Sequence, residues 1–134
     1  MATEPHGTPA PEPPPALDQA LLDPTRFSIV SLLAATSWAE FGFVRDSIGL
    51  SDSALSKQAA SLARLQYLEI EKGYVAKRPR TWMQLSAGGR AALRGHVAAL
   101  QDIARASSEV GARNRSDERP APAPRTRSPG LSPG

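Results

Sequence analysis

Apolar side chains recur at helical spacing from Leu17 onward, and the first predicted helix covers residues 24–36. It begins at Asp23-Pro24, because aspartate caps helix N-termini and proline suits the first helical position. A second, short helix is predicted to end near Ser47, with Gly49 as its left-handed cap. Its start has two interpretations: a capping box from Ser37 to Glu40, or a short strand before a helix at Gly42.

A third helix is predicted over residues 52–65, immediately after the short turn 49–51. Ser51 is its cap, and its buried stripe consists of Leu55, Ala59 and Leu62. The opposite side carries only small or basic side chains, namely Ser53, Ser56, Lys57, Ala60, Ser61 and Arg64. This helix therefore has one apolar face and one slim face without acidic residues after Asp52.

Alternating apolar and polar residues then predict a β-hairpin. In residues 68–75 the apolar Leu68 and Ile70 alternate with glutamates, and residues 81–85 alternate in the same way. The connection between the two strands contains Gly73, Pro79 and the basic residues Lys77, Arg78 and Arg80. We therefore expect a hairpin with a basic tip.

A last helix is predicted over residues 87–106, capped by Ser86. Leu93, Val97, Leu100 and Ala104 repeat at 4-3-4 spacing with Ile103 beside them, which is typical of a coiled-coil-like seam. An exposed apolar stripe favours association, so we expect a homodimer through this helix, joined by Leu17 and Leu21.

The two ends of the chain differ in composition from its middle. Eleven of the thirteen prolines lie in residues 1–16 and 120–133. We expect disordered tails at 1–16 and 107–134, because neither has the apolar content to offset the entropy of ordering. The folding unit is then residues 17–106.

Composition excludes several function classes. The chain has no cysteine, and its histidines, His6 and His96, are far apart, so we expect no metal site and no cofactor. It shows no nucleophile–base pair, phosphate loop or carboxylate cluster, so we do not expect an enzyme. Neither a membrane span nor a signal peptide is recognisable, which predicts a cytoplasmic, nucleoid-associated protein.

Charge indicates an anionic partner. The net charge is only +3, but residues 72–101 contain six basic residues and no acid. Such clustering is typical of nucleic-acid-binding surfaces.

The order helix, helix, tight turn, helix, hairpin, helix describes a mainly α (α+β) winged helix-turn-helix with a two-stranded hairpin wing. The segments LSDSALSKQAASL, YVAKRPRTWMQLSAGGRAAL and LDPTRFSIVSLL resemble bacterial winged helix-turn-helix transcriptional regulators, and most closely the short MarR-like group. The resemblance covers roughly residues 17–103. One position departs from it, since Gln58 stands where a histidine is frequent.

The resemblance implies a dimeric repressor of transcription that binds double-stranded DNA at an inverted repeat. Helix 52–65 would read the major groove, and the wing 72–81 would contact the backbone or minor groove. The expected contacts are Ser51, Ser53, Ser56, Lys57, Gln58, Ser61 and Arg64 from the helix, and Lys72, Lys77, Arg78 and Arg80 from the wing. No residue pattern identifies a small-molecule effector. The alternatives are a winged-helix module for protein–protein contact and a non-specific nucleoid or RNA-binding protein.

Overall fold

The computed structural model describes residues 15–115 and residue 122. A 3₁₀ turn, Gln19–Leu22, is followed by seven elements in chain order. They are α1 (Pro24–Ala34), β1 (Ala39–Glu40), α2 (Phe41–Ile48), α3 (Asp52–Arg64), β2 (Leu68–Val75), β3 (Arg78–Leu85) and α4 (Ala87–Arg113). The predicted winged helix-turn-helix, a mainly helical α+β fold, is confirmed.

Three helices begin where a local side chain caps them. Asp23 accepts a hydrogen bond from the Arg26 amide (2.9 Å), Ser51 from the Ala54 amide (3.1 Å) and Ser86 from the Gly89 amide (3.0 Å). Each bond satisfies a backbone donor that has no partner within its helix. Because these bonds span only three residues, the sequence alone was enough to predict them.

The sheet has three antiparallel strands in the order β1-β3-β2, one more than the predicted hairpin. Ala39 lies opposite Met83, and Glu40 lies opposite Trp82. Of the two interpretations of this segment, the short strand is therefore correct, although α2 begins at Phe41 rather than Gly42. The Glu40 side chain makes no capping bond.

The core lies between the helices and one face of this sheet. It combines the predicted α3 stripe with residues of α1, α2 and the strands, namely Ile29, Val30, Leu33, Val44, Leu55, Ala59, Leu62, Leu68, Met83 and Leu85. Leu21 completes it from the N-terminal side with only 2% of its surface exposed. The expectation that Leu21 joins a dimer interface is therefore wrong, because its own chain already encloses it.

Two predicted boundaries are also wrong. The hairpin turn has only two residues, so β3 begins at Arg78 and includes Pro79. Proline has no N–H donor and is tolerated where a neighbouring strand needs none. On the side of β3 opposite β2, the short strand β1 pairs only with Trp82 and Met83 and does not reach Pro79. The last helix continues past the predicted end at Ala106 to Arg113.

Two charge pairs lie along the C-terminal part of α4, and the second of them is in the extension. Arg105 contacts Asp102 (3.2 Å) and Arg113 contacts Glu109 (4.0 Å). Such pairs stabilise a helix surface slightly, even without apolar burial. The other residues of the predicted tails, 1–14, 116–121 and 123–134, lie outside the described residues. No helix in the described part is long and apolar enough to span a membrane.

Candidate nucleic-acid interface

The turn between α2 and α3 presents α3 at the surface. Gly49 ends α2 in the left-handed conformation (φ 81°), as predicted, and its amide bonds the Arg45 carbonyl. Leu55, Ala59 and Leu62 then anchor α3 in the core. The side of α3 that faces away from the core is consequently free to meet a partner.

Most of the predicted contact residues of α3 lie on that outward side. Ser53, Ser56, Lys57 and Arg64 are exposed, Ser61 is half-buried, and Arg64 Nη2 is 3.4 Å from Ser61 Oγ. Ser51 is also exposed, although its hydroxyl already caps the helix. The outward side thus offers hydroxyl groups and two cations.

Gln58 is placed differently. It is half-buried, and its Oε1 accepts a hydrogen bond from Arg26 Nη1 of α1 at 3.2 Å. On the helical wheel it lies beside the core stripe rather than opposite it. Gln58 therefore contacts the body of the domain, where we expected a side chain directed at DNA.

The one acid of α3, Asp52, is paired with a cation. Arg45 of α2 contacts Asp52 Oδ1 at 2.8 Å and Asp46 Oδ1 at 2.9 Å. Hydrogen bonding from the guanidinium lowers the pKa of Asp46 and raises the pKa of Arg45. This ion pair links α2 to α3 and reduces the repulsion that Asp52 would exert on a phosphate.

The wing presents its cations at the turn. Ala76 and Lys77 both have positive φ (50° and 67°), which is the geometry of a two-residue hairpin turn. Lys72, Lys77 and Arg78 are exposed. The end of the hairpin therefore carries two exposed cations, Lys77 and Arg78.

The expectation that Arg80 lies at the tip of the hairpin is wrong. Arg80 stands within β3 opposite Gly73, and its Nε is 2.9 Å from Glu40 Oε1 of β1. The pairing partner comes from a distant part of the sequence, so the basic cluster 77–80 gave no sign of it. Arg80 therefore has part of its charge neutralised by the sheet.

A groove joins α3 to the wing. It has a volume of about 230 Å³, and Ser56 and Ala60 line it from α3 while Ile70, Lys72 and Thr81 line it from the strands. Of the predicted contact residues, Ser56 of the helix and Lys72 of the wing therefore line the same groove. A ligand wide enough to cross the groove would contact both elements.

Tyr74 is a surface residue that sequence reasoning missed. It is 76% exposed and lies opposite Pro79, beside the basic turn. The strand register places it on the same sheet face as Lys72, so its ring and hydroxyl are available to a sugar or phosphate. The sequence signal for this position is that Tyr74 lies two residues after Lys72, because alternate residues of a strand lie on the same face of the sheet.

The residues expected at a dimer interface divide into two groups. Leu93 packs against the core and Val97 is half-buried. Leu17, Leu100, Ile103 and Ala104 are exposed, as is Val110 in the extended part of α4. Within the described residues no group of three or more His, Asp or Glu side chains is close enough together to hold a metal ion.

The comparisons with known proteins agree with this geometry. Residues 25–104, more than half of the chain, match the family model described as winged helix DNA-binding domain. The chain belongs to this family. None of the curated proteins compared with the chain matches its sequence.

Solved structures share the fold at low sequence identity. A transcriptional regulator homologue from Pyrococcus horikoshii OT3 aligns with a TM-score of 0.62 and 21% identity over 66% of this chain and 88% of its own. RV1404 from Mycobacterium tuberculosis aligns with a TM-score of 0.54 and 16% identity over 73% of this chain and 69% of its own. A mutant of ZitR, a zinc-responsive MarR family member from Lactococcus lactis, aligns with a TM-score of 0.50 and 18% identity over 72% of this chain and 70% of its own. The winged helix fold predicted from the sequence is thereby confirmed.

Proposed function

We propose that the protein is a sequence-specific transcriptional regulator that acts as a dimeric repressor. In this proposal α3 reads bases in the major groove, and the wing contacts the backbone or the adjacent minor groove. The observation that carries the proposal is the groove between α3 and the wing, which Ser56 lines from α3 and Lys72 lines from β2, together with the exposed cations Lys77 and Arg78 at the end of the hairpin. Membership of a family of DNA-binding domains supports it.

In this proposal, the position of each side chain decides which part of the DNA it contacts. Lys57 and the serines Ser53, Ser56 and Ser61 are small or flexible enough to reach base edges in the groove. Lys72, Lys77 and Arg78 are suited to phosphates, because each is exposed at or near the end of the hairpin. Arg80 contributes less, because Glu40 already pairs with it.

Dimer formation is part of the same proposal. Leu100, Ile103 and Val110 are apolar and exposed on α4, and a two-fold pairing would bury them. It would also present two α3 helices to successive major grooves about 34 Å apart, which requires an inverted repeat in the DNA.

Selection of bound fragments from random DNA with the purified chain tests the proposal directly. We expect enrichment of an inverted repeat. Lys57→Ala should then cost roughly 1–3 kcal/mol on the selected site and much less on random DNA. Failure to enrich any sequence would favour the alternative, a winged-helix module for protein contact.

The salt dependence of binding separates the wing from α3. A Lys77→Ala/Arg78→Ala variant should weaken binding to all sequences and reduce the salt slope by about 0.9 for each phosphate that the wing no longer neutralises, counted twice in a dimer. Arg80→Ala is the matched comparison in the wing and should change the slope less. Arg105→Ala on α4 controls for net charge. An unchanged slope in the double variant would show that the hairpin does not contact DNA.

A further inference from the structure

The chain before α1 forms a strap, residues 17–22, that bonds to both α4 and the end of α3. The amide of Asp18 donates to Nδ1 of His96 on α4 at 2.9 Å. The carboxylate of the same residue accepts a hydrogen bond from the Tyr67 hydroxyl, in the connection that leaves α3. A single residue of the strap is thus hydrogen-bonded both to α4 and to the connection that follows α3.

A second connection reaches the middle of α3. The carbonyl of Ala20 accepts from Arg26 Nε at 2.8 Å, and Nη1 of the same arginine donates to Gln58 Oε1 at 3.2 Å. Leu21 anchors the strap in the core between these two sets of bonds. Moving the strap would therefore disturb α3 at two points.

The bond to α4 depends on the protonation state of His96. Its side chain is 2% exposed and its ring lies 5.7 Å from that of Phe27, measured between centroids. Nδ1 can accept the Asp18 N–H only while it carries no proton. A protonated ring would bring two N–H donors face to face and bury a charge, so protonation must break this contact.

The other charged groups on the packed elements are either occupied by hydrogen bonds or exposed. Asp18 bonds Tyr67, whose pKa that bond and burial raise to about 12. On α1, Asp23 caps the helix and Arg26 bonds Ala20 and Gln58. On α4, Arg90 bonds the carbonyls of Ala34 and Thr36, and Arg94 is exposed. Histidine is the side chain that ordinarily gains a proton between pH 7.5 and 5.5.

We propose that the strap is an acid-sensitive clasp that holds α3 in its DNA-binding position, and that protonation of His96 releases it. Asp18, Tyr67 and Arg26 are then positioning residues, because they act on α3 rather than on DNA. This inference rests on the proposed function. It deepens that function by assigning a regulatory signal, the pH, to the recognition helix.

The direction of the effect distinguishes the clasp from ordinary electrostatics. Acidification adds positive charge to a protein, and added positive charge strengthens binding to phosphates. Release of the clasp predicts the opposite result, a loss of affinity on acidification. A structural role alone would lower stability without making DNA binding depend on the pH in this way.

The test uses the full chain carrying His6→Ala, so that His96 is the only histidine, and compares it with the same chain carrying His96→Asn. The asparagine Oδ1 occupies a position similar to Nδ1 and accepts a hydrogen bond, but it does not titrate. Affinity for the selected DNA is measured at constant ionic strength at pH 7.5 and 5.5. We expect a loss of up to about tenfold in the parent, which is the effect of losing one buried hydrogen bond completely, and less than about a twofold loss in the variant.

Nuclear magnetic resonance of the parent gives a readout that does not depend on the variant's folding. The amide resonance of Asp18 should shift in step with titration of the His96 ring. Tyr67→Phe removes the bond between the strap and α3, and should lower affinity at pH 7.5 without abolishing the ring titration.

The outcomes separate the two proposals. Equal pH profiles for parent and His96→Asn, or an Asp18 amide that stays unchanged while the ring titrates, would overturn the clasp alone. Absence of DNA binding at pH 7.5 would overturn the proposed function and the regulatory role that depends on it.

Discussion

Among the residues that the structure describes, three other than glycine hold their backbone in the left-handed region: Gln66 (φ 64°), Ala76 (φ 50°) and Lys77 (φ 67°). Gln66 follows α3, where the Tyr67 amide bonds the Leu62 carbonyl and the Gln66 amide bonds the Ala63 carbonyl. These two bonds define a helix ending that normally carries glycine. The side chains are tolerated there at a conformational cost, because left-handed backbone brings Cβ close to a carbonyl oxygen.

Gln66→Gly should therefore stabilise the domain by up to about 1 kcal/mol, since relief of strain exceeds the entropy that glycine adds to the unfolded chain. Urea denaturation measures the difference. Gln101→Gly places the same substitution in the interior of α4 and should destabilise by about 1 kcal/mol. Equal signs for the two variants would contradict this explanation.

Gly89 is required for close contact between α4 and the preceding chain. A Cβ at this position would overlap the Tyr67 carbonyl and lie 2.7 Å from Leu85 Cδ1. We expect Gly89→Ala to destabilise the domain by about 1–3 kcal/mol. Gly95→Ala, in the same helix with open space around it, should instead stabilise it by up to about 1 kcal/mol. Thermal unfolding of both variants is the measurement, and a stable Gly89→Ala protein would disprove the contact.

At the scale of elements, arginines connect one element of the fold to another. Arg90 of α4 donates to the carbonyls of Ala34 and Thr36 at the end of α1. Arg80 joins β3 to β1, and Arg45 joins α2 to α3. Arg90, Arg80 and Arg45 are therefore engaged in contacts within the fold.

The connection between the strap and α3 gives a prediction at high pH. The hydrogen bond to Asp18, and secondarily burial, raises the pKa of Tyr67 from 10.0 to about 12. A raised pKa means that the bond stabilises the folded state fully below pH 10 and ceases to do so as the pH approaches 12. The free energy of unfolding should thus fall more steeply over this range in the wild type than in Tyr67→Phe.

Tyr74→Phe is the matched control for that experiment, because Tyr74 is exposed on the wing. It should keep the slope of the wild type. If Tyr67→Phe also kept it, the hydroxyl of Tyr67 would not be bonded to Asp18 in solution.

For the whole molecule, the exposed apolar stripe of α4 predicts self-association. Ile103 is 50% exposed, so Ile103→Glu should leave the folding of each chain intact and disrupt a dimer. Gln101→Glu adds the same charge at a polar position of the helix and should not. Sedimentation at micromolar concentration distinguishes the two, and a monomeric wild type would refute dimer formation through this helix.

The sequence by itself determined whatever depends on near neighbours. Spacing of apolar residues gave the helices and their buried stripes, and Asp23, Ser51 and Ser86 gave the helix starts, because caps act within one turn. Gly49 gave the turn before α3, and the run of small and basic residues gave its outward side. The exposed positions of α3 and of the hairpin turn could be predicted for the same reason, since each lies within a single helix or hairpin.

Only the tertiary structure decided which side chains meet across the chain. Arg80 of β3 forms an ion pair with Glu40 of β1, and Arg26 of α1 donates a hydrogen bond to Gln58 of α3. His96 is adjacent in sequence to the half-buried Val97, yet it is enclosed by the strap and Phe27. Ala39–Glu40 becomes a strand only because β3 supplies its hydrogen bonds. These contacts join residues tens of positions apart, and local pattern contains no information about which distant partner the packed core will bring within reach.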